Sequence, residues 1–162
     1  MATPDFILRL REKIGTDPLW LTGVTAVVLR GEGATQEVLL CRRADNAKVT
    51  PVTGIVDPGE QPAVAAVREV LEEADVVAEA ETLVWVNALP PMVYGNGDQA
   101  QYLDLTFRCR YVSGEPRPAD GENVEVFWRR VDELGAQDDL GADMRERIRT
   151  AVTGEARARF EV

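Results

Sequence analysis

Apolar positions recur along the chain with two different periods. Phe6, Ile7, Leu10 and Ile14 are spaced one, three and four residues apart, which predicts an amphipathic helix at the N-terminus, within residues 1–17. Runs rich in β-branched and aromatic residues follow: Thr22 to Leu29, Val38 to Arg43, Thr82 to Ala88, Tyr102 to Tyr111 and Val124 to Val131. These read as strands, and the Gly31–Glu37 connection between the first two reads as a hairpin-type loop. From Ala44 to Pro62 the pattern is irregular, with Pro51, Gly54, Pro58, Gly59 and Pro62 setting its bends. Pro62 suits the first turn of a helix, where its missing N–H costs nothing, and Ala63 to Ala74 then shows the clearest helical pattern. Met144, Ile148 and Val152 recur at helical spacing in a closing helix over 142–153. The last dozen residues are charged and read as a frayed end. Strands before and after one central helix, with helices at both ends, predict an α+β chain. A mixed sheet lies between helices as an α/β/α sandwich, in place of the repeating βαβ of a doubly wound fold. No repeat or linker interrupts the pattern, so 1–162 reads as a single domain.

Charge narrows the partners. Eighteen Lys and Arg stand against 28 Asp and Glu, a net charge of −10. A broad surface for a nucleic-acid polymer or an anionic membrane would need the opposite balance, although a compact acidic cluster can hold a divalent metal. There is no histidine, which removes Ser-His, Cys-His and His-ligated zinc mechanisms together. The two cysteines, Cys41 and Cys109, lie in strand-like runs without a CxxC spacing and read as small buried hydrophobes in a reducing compartment. No segment is apolar over the ~20 residues a bilayer requires. The N-terminus mixes charges into its apolar residues, unlike a signal peptide. A cytoplasmic protein with no membrane partner is expected.

The central helix carries the chemistry. At 100° per residue, Val64, Val67, Val70, Leu71 and Ala74 share one side, and Glu69, Glu72 and Glu73 share the opposite arc. Like charges at i,i+3 and i,i+4 cost a helix a few tenths of a kcal/mol per pair; a hard divalent cation reverses the sign of that interaction. The arrangement upstream is specific. Gly54 is followed after five residues by Glu60, and after seven more by Arg68-Glu69. An aliphatic Val70, the pair Glu72-Glu73 and Val76 complete the pattern. This run closely resembles the Nudix box, G-x5-E-x7-R-E-U-x-E-E-x-G-U with U aliphatic, over residues 54–76. One position departs: Asp75 stands where the box has glycine. A glycine there would end the helix in the left-handed region, which Asp enters less easily than Gly but better than most residues.

The resemblance to the Nudix (MutT-like) hydrolases implies a Nudix fold, and hydrolysis of a phosphoanhydride bond in a nucleoside diphosphate linked to a group X. By position in the box, Glu69 and Glu73 would be the principal ligands of Mg²⁺, with Mn²⁺ as substitute. Glu72 and Glu60 would contribute, and the Gly54 carbonyl would supply a further oxygen. Arg68 would make the ion pair that fixes the carboxylates. Many members add an acid from a later loop; Asp120, Glu122 and Glu125 precede the last strand, and Glu122 is the choice for ligand or general base, with Glu125 second. Glu73 is the competing base, and the sequence does not separate them. Arg42 and Arg43, ending the second strand, are candidates to meet a phosphate or the terminal group, or are plain sheet-edge charges. Tyr94, in the turn-rich segment Pro90–Asp98, is a candidate to stack on a base. Pro91, fifteen residues past the box, resembles a marker of ADP-ribose pyrophosphatases, whereas the signatures of NADH-cleaving and coenzyme A-cleaving members are absent. Trp20, Trp85 and Trp128 read as core. ADP-ribose or a nucleotide sugar is therefore the expected substrate type, and clean-up of nucleoside tri- or diphosphates the alternative. A non-hydrolytic nucleotide sensor, the reading from another class, usually lacks a box glutamate or the Arg, and neither is missing. Family members often pair, so a homodimer is expected.

Overall fold

The computed structural model describes residues 3–135 and 139–162. Helix α1 (Asp5–Ile14) precedes β1 (Leu19–Arg30), and a single 3-10 turn leads to β2 (Glu37–Arg43). Two short strands, β3 (Val49–Thr50) and β4 (Val52–Ile55), come before α2 (Pro62–Ala74). Then follow β5 (Val77–Ala88), β6 (Met92–Val93), β7 (Gln99–Ser113), β8 (Asn123–Arg130), α3 (Ala142–Val152) and β9 (Arg159–Phe160).

At the centre β1 runs parallel to β7, in register from Leu19 against Ala100 to Leu29 against Arg110. One end of β1 pairs with β4 and the other with β2, both antiparallel. β2 pairs with β8, and β7 with β5 and β6. The main path across the sheet is β3-β2-β1-β7-β5-β9. Successive side chains in a strand point to opposite faces, and β1 uses both. Val24, Ala26 and Val28 pack with Ala65, Ala66, Val70 and Ala74 of α2. Val27 and Leu29 pack with Ile148 and Ala151 of α3, and Leu21 with Ile7 of α1. Helices on both faces explain why β1 reads as an unbroken apolar run instead of an alternating one. The architecture is the mixed sheet between helices that the element order predicts.

A polar connection crosses the α3 side. The Arg147 guanidinium is buried and holds Asp104 of β7 at 2.8 Å and Asp143, one helical turn back, at 3.0 Å. Asp104 also accepts hydrogen bonds from Thr25 of β1 and from Thr106, each at 2.9 Å. Arg147 donates to Thr25 as well, so one buried side chain ties α3 to the two central strands.

Four expectations are corrected. The stretch from Ala44 to Pro62 contains β3 and β4, too short for periodicity to reveal. The charged end does not simply fray: Arg159 and Phe160 pair with Trp85 and Val86 of β5, and the Arg159 guanidinium lies 4.2 Å from the centroid of the Trp85 ring. Trp20 is 58% exposed rather than core. Trp85 is buried, and Trp128 meets Tyr111 edge-on with ring centroids 5.3 Å apart. The fourth correction concerns α2. Its buried residues are Ala65, Ala66, Glu69, Val70, Glu73 and Ala74, while Val64 and Leu71 are 54% and 50% exposed. The helix is rotated from the position an apolar-face rule gives it. The small Ala65 and Ala66 let it approach the sheet closely, and that approach carries two of its acids inward.

Candidate active site

Pro62 opens α2 from an extended Gln61, so the preceding loop meets the helix at a sharp angle and folds Glu60 back against its second turn. There Arg68 is the hub. Its Nε and Nη2 donate to the two Glu60 oxygens at 2.8 and 3.0 Å. Nη1 donates to Glu72 at 3.0 Å and meets Glu69 Oε1 at 3.0 Å, and Nη2 also reaches the Ile55 carbonyl at 3.2 Å. The planar fork suits this multiple pairing, which a lysine could not reproduce. It holds the Glu60 carboxyl below the usual carboxylate range. Glu60 and the exposed Glu72 thus face Arg68.

Gly54 of β4 has a spatial reason to be glycine. Its φ is not left-handed, yet a Cβ there would fall inside the Glu69 side chain. The bare backbone lets Glu69, 3% exposed, lie flat against β4. One turn on, Glu73 is also 3% exposed. Its Oε2 accepts a 3.1 Å hydrogen bond from the Asn123 side chain. Its Oε1 is buried without a hydrogen-bond partner among the described residues.

The segment between β7 and β8 closes the site. Ala119 donates its N–H to the Glu73 carbonyl at 3.2 Å, and Ala44 donates to the Glu122 carbonyl at 2.8 Å. Between these anchors the Glu122 N–H donates to Asp120 Oδ1 at 3.0 Å, a side-chain turn that brings the two acids together. One carboxylate oxygen from each of Glu73, Asp120 and Glu122 lies within 4.8 Å of the others. A cleft of about 450 Å³ opens beside them, lined by Ile55, Arg68, Glu69, Glu72, Asp120 and Glu122 among others.

Burial dominates the electrostatics. It pushes the Glu69 carboxyl up to about 7 against the opposing pull of Arg68, with the Glu73 charge adding to the rise. It pushes Glu73 up to about 7 as well, opposed by the Asn123 hydrogen bond and the Arg43 charge and reinforced by Asp120. Two buried acids with an acidic loop over one of them favour either a proton or a cation. Oxygen donors alone, with no sulfur or imidazole in the set, match hard divalent ions such as Mg²⁺ and Mn²⁺, and the unpartnered Glu73 oxygen is available as a ligand.

The other sequence candidates divide. Arg43 pairs with Asp45 at 3.0 and 3.3 Å, and its charge reaches Glu73. Arg42 donates to Glu125 at 3.1 Å and to Asp139 at 2.8 Å, so both it and Glu125 are engaged apart from the cluster. Tyr94 is exposed at the tip of the β6–β7 hairpin, its hydroxyl 2.7 Å from that of Tyr102. Two members of the site were not selected from the sequence. The sequence favours Glu122 over Asp120, whereas the structure brings both together with Glu73, and the Asp-Gly-Glu spacing signals the turn that presents them. Asn123, which orients Glu73, carries no sequence signal beyond opening a strand.

Comparison with known proteins agrees with this geometry. The NUDIX domain family model matches residues 20–151. A MutT-like protein from Streptomyces ambofaciens is 32% identical over 117 residues, which are 72% of this chain and 68% of that protein. An ADP-ribose pyrophosphatase from Streptococcus suis superposes with a TM-score of 0.66 at 20% identity, covering 87% of this chain and 98% of its own. A UDP-X diphosphatase superposes with a TM-score of 0.64 at 17% identity, covering 96% of this chain and 73% of its own; at these identities the likeness is one of fold. The box residues, the sheet that carries them and the matched span lead to one assignment: the chain belongs to the Nudix (MutT-like) hydrolase family.

Proposed function

We propose that this Nudix hydrolase cleaves the phosphoanhydride bond of a nucleoside diphosphate linked to X, of the ADP-ribose or nucleotide-sugar type, with Mg²⁺ as cofactor. The observation that carries the reading is the unpartnered, buried Oε1 of Glu73, set in a carboxylate cluster with Asp120 and Glu122 beside a cleft. Pyrophosphatases of ADP-ribose and of UDP-X share the fold, which supports a diphosphate substrate.

Glu69 and Glu73 would hold the cation, with the Gly54 carbonyl beside Glu69 and with Asp120 and Glu122 closing from the loop. Bound there, a hard divalent ion offsets the charge of a diphosphate and acidifies water. The protein does the rest. Arg68 fixes Glu69, Glu60 and Glu72 by its ion pairs. Glu73 or Glu122 would accept the proton of the attacking water. Arg43, whose charge reaches Glu73, would meet a phosphate oxygen once it leaves Asp45, and Tyr94 would offer an exposed ring to a base. No protein nucleophile is needed, in keeping with a chain without histidine. Buried free Cys41 and Cys109 suit a reducing cytoplasm, and no helix among the described residues is long and apolar enough to cross a membrane.

The test is product formation from ADP-ribose, nucleotide sugars and nucleoside tri- and diphosphates, with Mg²⁺ and with Mn²⁺. Turnover of a diphosphate-X compound is expected, and Glu73→Gln should lose about a hundredfold or more of it. A variant as fast as the wild type overturns the site assignment. Preference for triphosphates moves the substrate class.

A further inference from the structure

Asp75 departs from the box at a place where two local effects oppose it. It ends α2 in the left-handed region, at φ 55° and ψ 33°, and it sets an acid at the negative end of the helix dipole. The structure shows what offsets both. Arg117, from the segment between β7 and β8, brings its Nε to within 2.8 Å of Asp75 Oδ2. The Arg117 N–H also donates to the Ala74 carbonyl at 3.1 Å, and the next donor along, Ala119 N–H, satisfies Glu73. Two carbonyls that a helix end leaves without partners are thereby capped by one segment. The same segment starts in close contact, since a Cβ at Gly114 would come within 2.5 Å of the Asp75 carbonyl oxygen. Directly after these anchors come Asp120 and Glu122. Their position against Glu73 therefore depends on how the segment is fastened to the end of α2.

We infer that Asp75 and Arg117 are positioning residues: their ion pair is a clasp that places Asp120 and Glu122 over Glu73, and so sets the affinity of the site for its cation. A glycine at 75 would relieve the backbone but leave the Arg117 guanidinium without its Asp75 partner. The inference rests on the metal-site reading above and deepens it.

The probe is Mn²⁺ alone, titrated without nucleotide and followed by paramagnetic resonance, beside thermal unfolding in chelator. Arg117→Ala and Asp75→Asn should each weaken Mn²⁺ binding about fivefold, the size of a well-placed surface pair. Asparagine tolerates the left-handed region, so the metal-free unfolding midpoint of Asp75→Asn should stay within about 2 °C of wild type. The double variant should be no worse than either single, because both remove one interaction, and Arg117→Lys should bind within about twofold of wild type. Wild-type affinity in both single variants overturns the clasp, as does a fully additive loss in the double. A fall in affinity matched by a fall in the metal-free midpoint of Asp75→Asn also overturns it, because the pair would then serve the fold alone. Glu73→Gln separates the two readings. Undiminished Mn²⁺ binding by that variant sinks the metal site and the clasp together, whereas weakened binding there with wild-type affinity in Arg117→Ala and Asp75→Asn sinks only the clasp.

Discussion

Glu69 and Glu73 make the cleft a place where charge is expensive, and stability should report it. Their carboxyls rise from the ordinary 4.5 to about 7 through burial. A raised carboxyl means that the folded state prefers the proton. The stabilisation is therefore complete below the unfolded value near 4.5, declines as pH climbs towards 7, and is gone above it. The metal-free protein should lose on the order of 5 kcal/mol between pH 5 and pH 8 from these two groups together. Denaturant titrations at the two pH values check this: Glu73→Gln should show a shallower fall, and saturating Mn²⁺ should restore the wild type at pH 8. A wild-type profile as shallow as that of the variant would refute the assignment of cause. Gly54 makes a second residue-scale test. Gly54→Ala drives a methyl into Glu69, so overpacking should cost about 1–3 kcal/mol and weaken Mn²⁺ binding in the same sample. A stable variant with intact binding would mean that Glu69 has another place to go.

Elements differ in how plainly their sequences announce them. β1, α2 and α3 are long enough for period and composition to agree, and their ends fall within a few residues of the sequence reading. β3, β4, β6 and β9 are two to four residues each, and their partners, not their own composition, make them strands. The resemblance to the box implied an ion pair for Arg68, and the structure shows Arg68 paired with Glu60, Glu69 and Glu72. The box did not give the rotation of α2, since the apolar-face rule assumes that acids point outward. Here Glu69 and Glu73 are buried and Leu71 is not, and only the alanines facing the sheet hint at the difference. Arg147 was equally hidden, as nothing in a solvated-looking Arg-Glu-Arg run marks one arginine as buried. Arg147→Ala leaves the Asp104 carboxylate inside the protein without its cation, so unfolding free energy should fall by about 3–5 kcal/mol. Adding Asp104→Leu should recover part of it; a double variant at least as unstable as the single would show that the pair itself, and not the stranded charge, matters.

Across the whole molecule, the acids gathered at the site come from two distant stretches of chain. Glu69 and Glu73 ride on α2, and Asp120 and Glu122 arrive after β7 has crossed the sheet. Neither half makes the cleft alone, so the negative charge is concentrated only in the finished fold. A net charge of −10 would repel an anionic substrate from most of the surface. On the proposed function a cation would serve twice, to bind the diphosphate and to let it approach. Raising salt should therefore relieve that repulsion, so that kcat/KM at fixed saturating Mg²⁺ rises modestly between low and physiological ionic strength. A steep fall over that range would point instead to attraction by Arg43 and its neighbours.

The parallel pairing of β1 with β7 has a consequence in time. Its partners are separated by about eighty residues of sequence, as from Leu19 to Ala100. Contacts that distant close slowly, after local turns and hairpins have formed. Until they close, β1 presents an apolar ribbon with its β7-side edge open, and a chain emerging from the ribosome carries that edge until β7 is made. Nascent chains stopped before β7 should thus be the ones that chaperones hold and that clump when released.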